Sequence, residues 1–272
     1  MSLYNQSEYA PAIMSAALDQ IRIVLVEPAG PLNVGSVARV MKNMGLSRLV
    51  LVNPHCSPMH PDAQQMAVHA QDVLAAAEVV ATLPEALTGC YRAIATTGRP
   101  RDLATPLESP RQALPWLLDT PSALIFGPED RGLSNAELNY AHRCVGIPSN
   151  PAYPSLNLAQ AVAVCCYELY QLTQAPVPSL SSLPVSSVAR TDAEPLASLD
   201  AMEQGLQHLQ TLLLEVGYLH PHTVSSRMQK VRQIMLRSQL STSELALLRG
   251  MVRQMNWALT QTSPPSSTPN HS

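Results

Sequence analysis

The sequence predicts an α/β domain built on a parallel sheet, followed by a small helical module. Three observations carry that expectation. Short apolar runs rich in β-branched residues or Leu recur through the first part of the chain, and amphipathic helical patterns fill the intervals between them. Strands that are apolar on both faces need cover on both sides, which parallel sheets receive from crossover helices. Beyond residue 175 the texture turns Pro- and Ser-rich, and afterwards only helical spacing returns.

In chain order, residues 21–27 (IRIVLVE) give the first strand. A helix over 33–44 follows, with Asn33 as its cap and Val34, Val37, Ala38 and Met41 as its buried stripe. Residues 46–53 (LSRLVLVN) give the second strand, 62–77 a helix, and 84–89 a short helical piece. Strands at 91–96 (YRAIAT) and 121–127 (PSALIFG) precede a helix at 134–142, a weaker fifth strand at 144–148 (CVGIP), and a strong helix at 155–173. Residues 176–195 hold four Pro and five Ser with little to bury, which sets a linker over 176–197. Helical spacing resumes at 198–216, 223–238 and 242–258, where Ser241 or Thr242 caps the last helix and Glu244 sits in its first turn. The expected organisation is an extension (1–20), an α/β domain (21–175), the linker, a helical module (198–258) and a disordered tail (259–272).

Composition removes several classes. A net charge of −3 and a pI near 6.2 give no global pull toward nucleic acid or membrane. The charge is unevenly chosen: of 17 basic residues only Lys42 and Lys230 are lysines, and Arg grips phosphate with two donors. Five cysteines without a C-x-x-C pair argue against zinc and against a secreted disulfide scaffold. The N-terminus has no basic stretch leading into an apolar core, and no run approaches the roughly eighteen apolar residues of a membrane span. A soluble, cytoplasmic protein is expected.

Four strand-end segments carry the chemistry. GPLNVGS (30–36) resembles a P-loop that lacks its Lys; Ser36, Arg39 and Asn43 share one helix face, and Gly30 and Gly35 would let a ligand approach. TTGRPRD (96–102) brings Arg99 and Arg101. GPEDRGLS (127–134) places Glu129, Asp130 and Arg131 on a turn where open α/β sheets bind ligands, with Ser134 and Glu137 as a capping box. NPAYPSLNLAQAV (150–162) puts a rigid Pro-bearing loop before a helix, with Ser155 able to cap it and Asn157 in its first turn. Each alone reads equally as an ordinary polar turn; together they are harder to dismiss.

N-V-G-S-V-A-R at 33–39, G-P-E-D-R-G-L at 127–133 and S-L-N-L-A-Q-A-V at 155–162 resemble the three motifs of SPOUT-superfamily RNA ribose 2′-O-methyltransferases, a likeness covering residues 21–170. RSQLSTSELALLRGMVRQM (237–255) resembles the C-terminal extension of the branch that methylates cytidine or uridine at position 32 of tRNA. The resemblance implies a SPOUT fold with a C-terminal trefoil knot, a homodimer, S-adenosylmethionine as methyl donor, tRNA as substrate and no metal. It assigns Thr96, Thr97, Gly98, Gly127, Ile147, Pro154, Ser155 and Leu156 to the donor pocket. Catalytic positions fall on Asn33, Arg39, Glu129, Ser155 and Asn157, and Arg101 aligns with a further Arg of the tRNA branch. Ala95 and Gly98 depart from the usual family residues.

The family proposal makes Arg39 a general base, but a guanidinium is almost never deprotonated in proteins. Binding the adjacent phosphate and stabilising the forming alkoxide suits it better, with a phosphate oxygen or water taking the proton. Glu129 is expected to position Arg39 or an amide. In the helical module, Arg227, Lys230, Arg232, Arg237, Arg249 and Arg253 face only Glu244 between residues 225 and 253, a phosphate-binding balance. Arg227, Lys230 and Arg232, with Arg101, are the candidate RNA contacts. At 4% aromatic residues, stacking is not expected to dominate binding. A dinucleotide oxidoreductase would need G-x-G-x-x-G after the first strand, and a nucleotide hydrolase the missing Lys. An rRNA methyltransferase and a non-catalytic RNA-binding relative stay open. His220 and His222 have no Cys or acidic neighbour to complete a metal site.

Overall fold

The apolar runs pair edge to edge in a sheet of seven strands, ordered β3-β2-β1-β6-β4-β7-β5 and parallel throughout. The computed structural model describes residues 17–98, 106–174 and 194–262. The strands are β1 (Ile21–Val26), β2 (Arg48–Val52), β3 (Glu78–Val80), β4 (Arg92–Thr96), β5 (Leu107–Glu108), β6 (Ser122–Phe126) and β7 (Arg143–Val145). The five expected strands all form. The two unforeseen ones are too short for a pattern: β5 has two residues, and β3 is a three-residue edge strand with Val79 54% exposed. β1 and β6 are the central strands, and β6 is buried at every position, as two covered faces demand. β7 enters between β4 and β5, so the chain returns across its own earlier connection; a trefoil knot is compatible with this order.

Helix α1 (Pro31–Asn43) starts earlier than the sequence suggested. Gly30 occupies the cap position without a side-chain bond, and Pro31 fits the first turn, where a missing N–H costs nothing. Asn33 is therefore inside the helix and not its cap. The stripe of Val34, Val37, Ala38 and Met41 is buried as expected. The helix anticipated over 62–77 is broken in two, α2 (Pro61–Ala67) and α3 (Gln71–Ala75), because Val68 takes a left-handed φ of 54°. Gly35 also has a different task from the one expected. A Cβ there would lie 2.2 Å from the carbonyl oxygen of Ala63, so this glycine lets α1 and α2 touch backbone to backbone and opens no path for a ligand.

Short helices α4 (Leu83–Ala86) and α5 (Pro110–Ala113) follow, the latter running into a 3₁₀ turn over Leu114–Leu117. The helix expected at 134–142 shrinks to the single turn α6 (Asn135–Leu138). α7 (Leu158–Gln174) buries Leu158, Val162, Cys165, Cys166 and Leu169, and packs on α1. All five cysteines are free thiols.

The described residues divide into two compact units, changing over between Glu194 and Ala201. The second contains α8 (Leu199–Glu215), α9 (Val224–Ser238) and α10 (Thr242–Thr262), close to the expected spans. Ser241, one of the two expected caps, is the one used. Its hydroxyl accepts from the Glu244 N–H at 3.2 Å, and the Glu244 carboxylate accepts from the Ser241 N–H at 2.8 Å. Leu206, Leu212, Met228, Leu236 and Leu245 are buried in this unit. The expected extension, most of the linker and most of the tail lie outside the described residues.

Candidate active site

The loops leaving β4, β6 and β7 converge because these strands are neighbours and parallel, so their carboxyl ends meet on one edge. The β6 loop is the tightest. A Cβ on Gly127 would sit 2.3 Å from the Leu133 nitrogen, so the loop folds back onto its own start only because residue 127 has no side chain. Gly132 turns the corner with φ +66°, and Ser134 caps α6 with Glu137 in the reciprocal role.

One cleft between these loops is lined by Thr96, Thr97, Gly98, Gly127, Glu129, Ile147, Pro154, Ser155 and Leu156. All eight residues assigned to the donor pocket are thus brought together, with Phe126, Val145 and Leu158 as an apolar floor. Thr96 turns its hydroxyl inward to the Ile125 carbonyl at 3.0 Å. The chemistry of the lining fits S-adenosylmethionine: apolar side chains, small residues that leave backbone groups accessible, and the acidic side chains of Glu129 and Asp130 beside a cationic donor.

A relay of three side chains borders the cleft. The Asn33 Nδ2 donates to Glu129 Oε1 at 2.8 Å, and the Asn157 Nδ2 donates to Asn33 Oδ1 at 3.0 Å. The Asn157 Oδ1 accepts from the Ala159 N–H at 2.9 Å, so Asn157, and not Ser155, caps α7. The order is forced. A carboxylate only accepts, which turns the Asn33 amide nitrogen toward it and leaves Oδ1 for Asn157. Glu129 also receives the N–H groups of Ala29 at 3.1 Å and Gly30 at 3.4 Å. Partial burial works to raise its pKa, but the bonds from Asn33 and these amides outweigh it and hold the carboxyl below the usual range.

Glu129 therefore meets an amide and two backbone donors, and not Arg39. Arg39 is exposed and has no hydrogen-bond or ion-pair partner among the described residues. It lies six positions after Asn33 on α1, about 9 Å along the axis. Ser155 lines the cleft and is exposed. Arg101 and Arg99 lie outside the described residues.

Sequence reasoning missed Glu27. It ends β1 with φ 46°, a left-handed conformation uncommon for a non-glycine, and accepts Arg131 Nη2 at 2.7 Å. Arg131 also pairs with Glu137 at 2.9 Å, so this cation is neutralised and ties the β1 end to the β6 loop. The two carboxylates push the Arg131 pKa further up. No local pattern marks a pair separated by 104 positions.

The cations expected to meet RNA differ in their surroundings. Lys230, Arg237 and Arg253 are exposed. Arg227 is exposed as well but spends one nitrogen on the Tyr218 carbonyl at 2.7 Å. Arg232 is corrected: its guanidinium forks onto Glu203 at 2.6 and 2.7 Å and is mostly buried, which removes it from phosphate contact. Counting acids only between 225 and 253 left Glu203 out.

Residues 20–167 match the family model described as the SpoU rRNA Methylase family, and residues 200–266 match the model for the tRNA methyltransferase TrmJ, C-terminal domain. The chain is 40% identical over 245 residues to the tRNA (cytidine/uridine/adenosine-2′-O-)-methyltransferase TrmJ of Pseudomonas aeruginosa, covering 87% of this chain and 94% of the relative. It is 39% identical to the tRNA (cytidine/uridine-2′-O-)-methyltransferase TrmJ of Pectobacterium atrosepticum, covering 86% and 96%. The crystal structure of TrmJ from Z. mobilis superimposes with a TM-score of 0.76 at 31% identity, over 86% of this chain and 98% of that one.

Proposed function

This chain belongs to the SpoU rRNA methylase family, and on that premise we propose that it transfers a methyl group from S-adenosylmethionine to a ribose 2′-hydroxyl of tRNA. The observation that carries the reading is the Glu129–Asn33–Asn157 relay alongside a cleft fitted to the donor. When bound, S-adenosylmethionine supplies a methyl already attached to a good leaving group, so the protein's work is alignment and activation of the hydroxyl.

The residues divide that work. The β4, β6 and β7 loops hold the donor, and Glu129 joins their cleft to the relay. The relay fixes the first turns of α1 and α7 against each other, so the reacting sugar meets a pre-formed wall. Arg39, charged and unpaired among the described residues, grips the phosphate next to the target ribose and stabilises the alkoxide as it forms. A phosphate oxygen or water takes the proton. Ser155, on the cleft rim, contacts the target nucleotide. This also accounts for the P-loop likeness at 30–36: one phosphodiester is met by one Arg, whereas a triphosphate with magnesium needs the absent Lys.

The target within tRNA is a cytidine or uridine at position 32, an unpaired site in the anticodon loop. The relatives' names share cytidine and uridine, and the Pseudomonas one adds adenosine, in keeping with a site that grips sugar and phosphate more than base. The working form is a homodimer in the cytoplasm. Leu32 on α1, with Val164 and Tyr167 on α7, exposes apolar surface on two helices that pack together. Sedimentation should give twice the 29.4 kDa chain mass. Among the described residues no helix is long and apolar enough to cross a membrane.

The test is to incubate the protein with isotope-labelled S-adenosylmethionine and tRNA or rRNA, then map the label by nuclease digestion and mass spectrometry. Ribose label at one anticodon-loop position of tRNA is expected. Label confined to rRNA would move the assignment to that substrate, and none at all would leave an RNA-binding relative.

A further inference from the structure

We propose that the turn joining α8 to α9 is a stacking site for an unpaired nucleotide of the RNA, with Tyr218 and the His220–His222 pair as platforms. The inference rests on the tRNA reading above and adds a base-contacting surface to it.

Three planar side chains stand in solvent on one short turn. Tyr218 is 61% exposed, and His220 and His222 are both exposed. The Arg227 guanidinium lies 5.2 Å from the Tyr218 ring centroid and donates to the Tyr218 carbonyl at 2.7 Å. A cation over one part of the ring, also bonded to the same residue's backbone, fixes the ring in place and leaves its remaining surface open. The two imidazoles form a parallel stack, 6° apart in plane and 5.8 Å between centroids, which offers flat outer faces to an incoming base. No group of three metal-ligating side chains occurs among the described residues.

The turn is rigid. Gly217 takes φ +75°, the Leu219 N–H reaches the Leu213 carbonyl at 2.9 Å, and Leu219 is buried as an anchor. On the other side, the His220 carbonyl accepts from the N–H groups of Thr223 at 2.8 Å and Val224 at 3.0 Å, while the Thr223 hydroxyl accepts from the His220 N–H. Flat rings held still in water bind a base at little cost in ordering, because the platform is already placed. Lys230 lies exposed one turn beyond Arg227 on α9, where it meets the nucleotide's phosphate. A duplex hides its base faces, so the occupant must be unpaired.

The experiment measures binding of the full-length protein by fluorescence anisotropy to an anticodon-arm hairpin and to a fully paired duplex of equal length. Tyr218→Ala is expected to weaken hairpin binding about ten-fold and duplex binding less than about two-fold, while Tyr218→Phe stays near wild type on both. Lys230→Ala should weaken both RNAs and lower the slope of log affinity against log salt by about one, which Tyr218→Ala should not do. Unchanged hairpin affinity in Tyr218→Ala, an equal loss on the duplex, or a Tyr218→Phe variant as weak as Ala would each overturn the site. Should Tyr218→Ala lower the melting temperature, His222→Ala carries the same comparison. Failure of the wild-type protein to bind either RNA would instead sink the tRNA reading itself.

Discussion

In the proposed mechanism Arg39 meets substrate while Glu129 holds the frame, and their variants should separate the two roles. Arg39→Lys keeps the charge but loses the two-pronged donor, and single-turnover methylation should fall by about a hundred-fold with donor binding unchanged. Near-normal turnover would remove Arg39 from the chemistry. Glu129→Gln puts an NH₂ where Asn33 Nδ2 and two backbone N–H groups need an acceptor. It should cost about 1–3 kcal/mol of stability, read from urea unfolding, along with most of the activity. His142 gives a pH signature. Its ring packs edge-on against Trp116, and desolvation, followed by the nearby Arg92 and Arg143 charges, lowers its pKa from 6.5 to about 4. The unfolded chain therefore binds a proton there that the folded chain refuses. Stability should be full above pH 6.5 and fall as the pH drops toward about 4, with His142→Gln flattening that decline in urea titrations at pH 7.5 and 5. Asn33, Glu129 and Asn157 could be named from the chain's order because they sit in short recognisable segments. Their mutual bonds could not, since they span 96 and 124 positions. Glu27 was invisible for the same reason: its significance lies in a backbone angle and a distant arginine.

Helices and strands were legible where apolar periodicity ran long enough. α1, α7 and the three helices of the second unit announced themselves, whereas β3 and β5 were too short or too exposed to leave a pattern. Errors clustered at helix starts. Asn33 and Ser155 looked like caps because their side chains suit that role, but Pro31 and Asn157 set the boundaries. Both displaced residues are ones assigned to catalysis, and Asn33 is freed for the relay by not capping. The α1–α2 contact yields a sharp expectation. With a backbone carbonyl 2.2 Å from the would-be methyl, Gly35→Ala must push the two helices apart, costing about 2–4 kcal/mol in urea unfolding. An alanine tolerated without loss would show that α2 shifts freely. Gly35 was read as a ligand-facing residue because a glycine beside a P-loop-like turn suggests close approach; the close approach is real, but to another helix.

Taken as one chain, the protein is mildly acidic yet has RNA to hold, so binding must come from local patches and not from net charge. Affinity for tRNA should drop steeply between 50 and 200 mM salt, on the order of a hundred-fold or more if several phosphates are contacted. A flat dependence would leave Lys230, Arg237 and Arg253 without their assigned task. The α/β fold class was readable from texture alone, while strand order was not, because pairing β7 between β4 and β5 depends on chain routing that periodicity does not encode. The Asn157-to-Asn33 bond has one more consequence. A ribosome that has released the opening strand and helix must still make more than a hundred further residues before the second amide emerges. Until then the nascent polypeptide lacks the proposed wall for a sugar, so fragments from stalled translation should transfer no methyl group to ribose.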